Sequence, residues 1–284
     1  MGADVKAIRN RIRSVESTMH ITKAMELVAS SKLRHATERM ERSRFFFETL
    51  VASLSDFGEG IAESSFAPRK EVKRRALVVI AGDRGLAGGY NNNVFKTALA
   101  ETSDGLPYAV LPIGRRAGEY FRHRGIPCLS EKTPSLEGFS LEDCAAAGRL
   151  LADGFRRGEY DEVKLIFTDY ITMLSQDPAT LPLLPLDPHK DEGTGERIRR
   201  AETIYEPSAA AVLDAITPEY LSGMIYGAVC ESYTSELAAR RTAMDAASKN
   251  ASEMIDTLSL RYNRARQSAI TQEITEIIGG SEQQ

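Results

Sequence analysis

Two stretches of the chain, one at each end, carry apolar residues at alternating three- and four-residue steps. In the first, free of Gly and Pro from Ala3 to Phe57, Ile8, Ile12, Val15, Met19 and Thr22 step by four, three, four and three. Met25, Ala29, Leu33, Ala36 and Met40 follow after a short register slip. In the second, Met244, Ala247, Ala251, Met254 and Leu258 repeat the spacing inside a run, Ala228 to Ile278, that again lacks Gly and Pro. Thr217 is predicted to cap this helix, with Pro218 in its first position and Glu219 behind, and Gly279 and Gly280 to stop it. At about 1.5 Å per residue it would run on the order of 90 Å, far beyond the roughly 8 to 20 residues of an ordinary globular helix. Small residues recur on both stretches, at Ala24, Ala29, Ser30 and Ser31 and at Ala246, Ala247, Ser248, Ala251 and Ser252, so the two backbones can approach closely. The expectation is that the chain ends pair antiparallel, with Phe45, Phe46, Phe47, Leu50 and Val51 packing where the first helix meets a middle domain.

Between the ends the period changes. Ala76 to Ala81, Pro107 to Ile113 and Val163 to Tyr170 are short continuous apolar runs, the mark of strands covered on both faces. Helical patterns at Val94 to Ala100, Arg115 to Arg124 and Leu141 to Arg156 alternate with them, which predicts a mainly parallel α/β sheet. Leu181 to Leu186 would add an edge strand, because Pro182 and Pro185 lack ladder donors. The predicted organisation is a coiled-coil helix at 1–57, a linker at 58–75, a Rossmann-like α/β domain at 76–207 with 187–207 as an exposed excursion, and a second coiled-coil helix at 208–284. The fold class is therefore α/β plus a long antiparallel coiled coil.

Composition narrows this only a little. The 284 residues are 42% hydrophobic and 27% charged with a net charge of −4, which gives no global nucleic-acid signal. The longest apolar run, Ala76 to Ala81, falls far short of the roughly 20 residues of a membrane span. No targeting segment is expected, since the first residues run straight into a charged helical pattern. Cys128, Cys144 and Cys230 form no paired motif and suit a reducing compartment. From Asp4 to Arg44, ten Lys and Arg stand against five acids, so the first helix is either an ordinary solvated face or an electropositive surface for acidic partners.

One stretch tempts a chemical reading. Gly82-Asp83-Arg84-Gly85-Leu86-Ala87-Gly88-Gly89 follows a strand and precedes a helix, where phosphate-cradling loops sit. A P-loop needs Lys and then Ser or Thr after its last Gly, and here Tyr90 and Asn91 follow; the G-x-G-x-x-G spacing fails too. A glycine-shaped turn with Asn91, Asn92 and Asn93 capping the next helix is the plainer expectation. His20, His35, His123 and His189 show no metal spacing, the cysteines have no activating neighbour, Asp177 reads as turn chemistry, and Met25 and Met254 read as seam. The residues by themselves leave open an α/β enzyme with a helical arm and a coiled-coil adaptor.

Four segments resemble the gamma-subunit family of F-type ATP synthases: Ile21-Thr22-Lys23-Ala24-Met25-Glu26-Leu27-Val28-Ala29, the Gly82 to Gly89 turn, Leu174-Ser175-Gln176-Asp177-Pro178, and Tyr262 through Ile274. The resemblance covers essentially the whole chain. It implies a non-catalytic rotor shaft that couples rotation of a membrane c-ring in a proton-translocating complex to conformational cycling of catalytic beta subunits, with no catalytic, cofactor or metal residues of its own. It further implies that Arg266, Gln267 and Thr271 contact a beta-subunit loop and that Lys23, Met25 and Arg240 lie near the acidic lever of the beta subunits. Ile270, Ile274, Ile277 and Ile278 would run in an apolar sleeve of the alpha and beta hexamer. The implied partners are the alpha, beta and epsilon subunits and the c-ring. No plastid-type insertion follows Leu186 and no leader precedes the first helix, so the resemblance implies a bacterial protein, peripheral on the cytoplasmic face of the inner membrane.

Overall fold

A computed structural model describes residues 2–54, 60–186 and 205–281. Contacts divide the chain into two compact units, Met1–Ser31 with Arg240–Gln284, and Lys32–Ala239. Helices α1 (Gly2–Leu54) and α6 (Ala209–Ser281) contribute to both.

In the first unit the two helices pair along a seam. On α1 the less exposed positions are Val5, Ile8, Ile12, Val15, Met19, Thr22, Glu26 and Ala29, an unbroken three-four alternation. The slip expected near Met25 is absent because Glu26 holds the seam position, its side chain only 13% exposed and paired with Lys23 at 2.7 Å. On α6 the seam is Met244, Ser248, Ala251, Ile255, Leu258, Tyr262, Ala265 and Ala269. It shares three of the five expected residues; Ser248 and Ile255 replace Ala247 and Met254, and Met254 is 45% exposed. Adjacent small residues make the seam ambiguous in sequence, and the partner resolves it: Ser248 Oγ lies 2.7 Å from Thr22 Oγ1. Thr22 gives its own proton to the Met19 carbonyl at 3.0 Å, so Ser248 is the donor in that pair. Helix α6 also runs through Gly279 and Gly280 rather than stopping before them; glycine weakens a helix without forbidding it.

The second unit is built on a four-stranded sheet of order β2-β1-β3-β4, with β1 (Arg75–Ile80), β2 (Tyr108–Ile113) and β3 (Glu162–Tyr170) parallel and β4 (Gln176–Leu184) antiparallel at the edge. Alternate residues of β1 serve the two faces. Leu77 and Val79 pack with Val94, Phe95 and Phe121 of α3 (Tyr90–Ala100) and α4 (Arg115–His123). Ala76, Val78 and Ile80 pack with Leu151 and Phe155 of α5 (Leu141–Arg156) and with Leu221, Ile225 and Val229 of α6. Coverage on both sides explains why β1 reads as a continuous apolar run. Helix α5 has the bounds expected of it and a reciprocal Ser140/Asp143 cap. Its Gly148 admits α6: a Cβ there would stand 2.5 Å from the Pro218 carbonyl. On the far side of α6, Leu33 and Ala36 of α1 pack on Leu237 and Ala238, while Arg39 reaches Tyr226 and Arg44 reaches Glu231. Residues 33–36 of α1 thus meet 237–238 of α6, and residues 39–44 meet 226–231.

Three local expectations change. Helix α6 begins eight residues before Thr217; Ser208 caps it by accepting from Ala211 N at 3.2 Å, and Pro218 lies inside. A mid-helix proline strips the carbonyl four residues back of its partner, and here that carbonyl, on Asp214, accepts from Arg156. Thr217 is buried and donates to the Leu213 carbonyl at 2.7 Å. Residues 60–74, read as linker, carry a short α2 (Gly60–Glu63) and send Ile61 and Phe66 into the core, Phe66 stacking on Phe155. Asp177 is not in a turn: it pairs with Asp169 within the β3–β4 ladder, and the turn is Thr172 to Ser175, where the Thr172 hydroxyl accepts from Leu174 N and Ser175 N. The excursion expected at 187–207 lies outside the described residues as far as 204, as do the side chains of Phe45, Phe46, Phe47, Leu50 and Val51.

Phe66 is fully buried against α5 and α6. Phe66→Ala is expected to destabilise the chain by about 3–5 kcal/mol in urea unfolding, whereas Leu86→Ala, at an exposed loop tip, should stay within about 0.5 kcal/mol.

Candidate interaction surfaces

The residues implied as contact sites all fall in the unit formed by Met1–Ser31 and Arg240–Gln284. With roughly 100° of rotation per residue, Gln267, Ile270, Thr271, Ile274 and Ile278 of α6 lie in one stripe, on the side away from seam residues Ala265 and Ala269. Arg266 stands at its margin, exposed. The three isoleucines are 47%, 52% and 55% exposed; the Ile277 side chain lies outside the described residues. Three branched apolar side chains thus stand at four-residue spacing on an open helix face.

On α1, Lys23 is exposed and tethered to Glu26, and Met25 is half-buried beside the seam. Arg240 of α6 is half-buried. Sequence reading missed a neighbouring feature: Ile21, Leu27 and Val28 are each more than half exposed, so the segment around Lys23 is an apolar surface as well as a basic one. The signal was available, because these three residues are surplus to the seam spacing of the same stretch.

The Gly82 to Gly89 turn sits elsewhere, at the carboxyl end of β1 in the larger unit. Its polar groups are engaged internally. Gly82 N donates to Asn91 Oδ1 at 2.8 Å, and Asn91 Nδ2 to the Arg84 carbonyl at 3.1 Å. The asparagines thus close the loop rather than cap α3, whose N-cap is Gly89 with no side-chain bond. Asp83 accepts from Arg115 N, Leu136 N and Glu137 N and from the Ser135 hydroxyl at 2.6 Å. Burial pushes its carboxyl up, but these donors outweigh it and hold Asp83 below the ordinary range. The strand order reverses between β1 and β3, the place where open α/β sheets take ligands. Helix α6 fills it. Ser232 Oγ accepts from Thr168 N at 3.1 Å, Ser235 Oγ donates to the Thr168 carbonyl, and Tyr90 donates to the Ser232 carbonyl at 3.0 Å. Buried Glu236 stands where a Cβ on Gly82 would clash at 2.5 Å.

Nor does Cys144 offer a nucleophile: burial, then the neighbouring Cys230 and Asp143, push its thiol up to about 12. Among the described residues no group of three His, Cys, Asp or Glu is arranged to hold a metal, and no helix is long and apolar enough to cross a membrane.

A family model described as "ATP synthase" matches residues 4–283. The "ATP synthase gamma chain" of Ruminococcus albus is 44% identical over 284 residues, 98% of each chain. That of Acetobacterium woodii, described as "sodium ion specific", is 39% identical over 299 residues, 99% of each. Among solved structures, a chain of the Euglena gracilis mitochondrial ATP synthase OSCP/F1/c-ring structure superposes with TM-score 0.70 at 17% identity, covering 98% of this chain and 94% of that one. A chain from the central stalk/c-ring of the Tetrahymena thermophila enzyme gives 0.62 at 24% identity, covering 80% and 99%. At these identities the two structures speak for the fold.

The Thr22/Ser248 bond is the polar link across the seam. Thr22→Val removes the acceptor and leaves the Ser248 donor in a dry interface, so urea unfolding should show a loss of about 1–3 kcal/mol; adding Ser248→Ala should recover part of it.

Proposed function

The chain belongs to the ATP synthase gamma-chain family, and from that premise we propose that it is the central stalk of an F-type ATP synthase. In this role it is the rotor shaft that couples rotation of the membrane c-ring to the conformational cycling of catalytic beta subunits. It is a non-catalytic subunit, peripheral to the membrane. The observation that carries the reading is the uncovered stripe Ile270, Ile274 and Ile278 on the side of α6 away from its own partner helix. A helix pair that has already buried its seam gains nothing from further isoleucines unless a sleeve surrounds it.

The alpha and beta subunits are that sleeve. Arg266, Gln267 and Thr271, all exposed beside the stripe, reach one beta subunit. Lys23 and Arg240 face the acidic lever of the beta subunits, with Met25 and the apolar Ile21, Leu27 and Val28 alongside. Exposed ion pairs contribute only about 0–1 kcal/mol each, so basic side chains here make contacts that exchange as the shaft turns. The α/β portion, residues 76–207, meets the epsilon subunit and the c-ring. Bacterial gamma chains as similar as that of Ruminococcus albus support a location on the cytoplasmic face of the bacterial membrane.

In the reconstituted complex, Lys23→Glu should leave the chain folded and assembled but lower ATP-driven ion pumping per ATP hydrolysed; pumping at the unmodified ratio would refute a coupling role for Lys23. Replacing Arg266 and Gln267 together by Ala should weaken retention of the chain in the hexamer and lower synthesis rate, measured by gel filtration and by ATP formation. Unchanged values in both assays would remove these residues from the contact.

A further inference from the structure

Helices α1 and α6 and the β3–β4 hairpin enclose a cavity of about 230 Å³ in the larger unit, with Arg44, Asp169 and Glu231 on its polar side and Phe167 and Leu181 among its apolar walls. None of these residues takes part in the surfaces described above. Arg44 Nη2 lies 3.0 Å from Glu231 Oε1, and the Glu231 side chain is 17% exposed. The Asp169 carboxyl lines the same cavity beside it. Two carboxylates that share one guanidinium in a largely buried place repel each other, and a proton between them relieves that repulsion.

The neighbouring charges favour that proton. From the hairpin, Asp177 pairs with Asp169 across the ladder and adds negative charge. From α1, Arg44 opposes it, and Arg39 is engaged one turn away with the Tyr226 hydroxyl at 3.0 Å. From α6, Cys230 and Tyr233 are the nearest titratable neighbours in sequence, and burial pushes the Cys230 thiol up. Burial and then Asp169 raise the Glu231 carboxyl to about 7, against the pull of Arg44.

We propose that Glu231, Asp169 and Arg44 form a proton-operated latch: one proton shared by the two carboxyls ties α6 to β3, Arg44 ties α6 to α1, and loss of the proton loosens α6 from the sheet. In a rotor, and here the inference rests on the central-stalk reading, the latch makes the stiffness between α6 and the sheet follow the surrounding pH. The unfolded chain has no such pair, and Glu231 there titrates at its ordinary value of 4.5. The folded chain thus retains a proton that the unfolded chain has released. The stabilisation is complete below that value and is lost as pH rises through about 7.

Urea unfolding of the full chain from pH 5 to 8 tests the latch without involving the assembled complex, so its outcome is separate from that of the functional assays. Glu231→Gln keeps a donor toward Asp169 but does not titrate. Relative to it, the unmodified chain should lose up to about tenfold in folding equilibrium constant per pH unit between 5 and 7. Asp169→Asn removes the repulsion and should fold more tightly than the unmodified chain at pH 8. Equal pH slopes for the unmodified chain and Glu231→Gln would overturn the latch, as would weaker folding of Asp169→Asn at pH 8. If Glu231→Gln does not fold, the Asp169→Asn comparison decides alone.

Discussion

A helix of 73 residues holds its shape only where other parts of the protein cover it, and covering α6 is the constraint on which the structure depends. From Tyr220 to Ala238 almost every side chain is buried, so this stretch has no solvent face. Such a helix is expected to be apolar all round. Instead it carries Ser222, Gly223, Gly227, Ser232, Thr234 and Ser235, and these small or hydroxyl-bearing residues let three neighbours approach at once. Gly148 of α5, the edge of β3 beyond Ile166, and α1 each use one side. Beyond Arg240 burial recurs only at every third or fourth position, so one neighbour suffices.

The hydroxyls on α6 do a second job. Strand β3 continues past the end of its pairing with β1 at Ile166, so the Thr168 amide and carbonyl lack a strand partner on that side. Ser232 and Ser235 supply one. The cost of leaving such groups buried and unbonded is about 1–3 kcal/mol apiece, so the two serines fix where α6 lies on the sheet. The crevice that this kind of sheet offers to a nucleotide is thereby filled by the protein's own helix. A sheet that elsewhere would hold a ligand here holds α6.

A proline in the middle of that helix shows how local rules are overruled by packing. Pro218 costs a backbone bond, and Thr-Pro-Glu reads as a helix start. Arg156 takes over the freed Asp214 carbonyl, while the Asp214 carboxylate binds Ser64 and Ser65 and draws Phe66 into the core. Burial raises the Asp214 carboxyl, but the two hydroxyls and the Ser65 amide bring it below the ordinary range. One interrupted turn thus anchors a segment that composition marked as a linker.

Stepped spacing determined the two long helices and the bounds of α5, continuous apolar runs the strands between them, and Pro182 and Pro185 the edge position of β4, because each is a property of one stretch of chain. The full-length resemblance determined the family. Tertiary structure decided the seam register, where Ser248 and Ile255 displace Ala247 and Met254, since only the partner's Thr22 distinguishes equally small neighbours. It decided that Glu26 could sit in the seam, that α6 begins at Ala209, and that Asp169, Asp177 and Glu231 meet, because those facts depend on residues far apart in sequence being brought within a few ångströms.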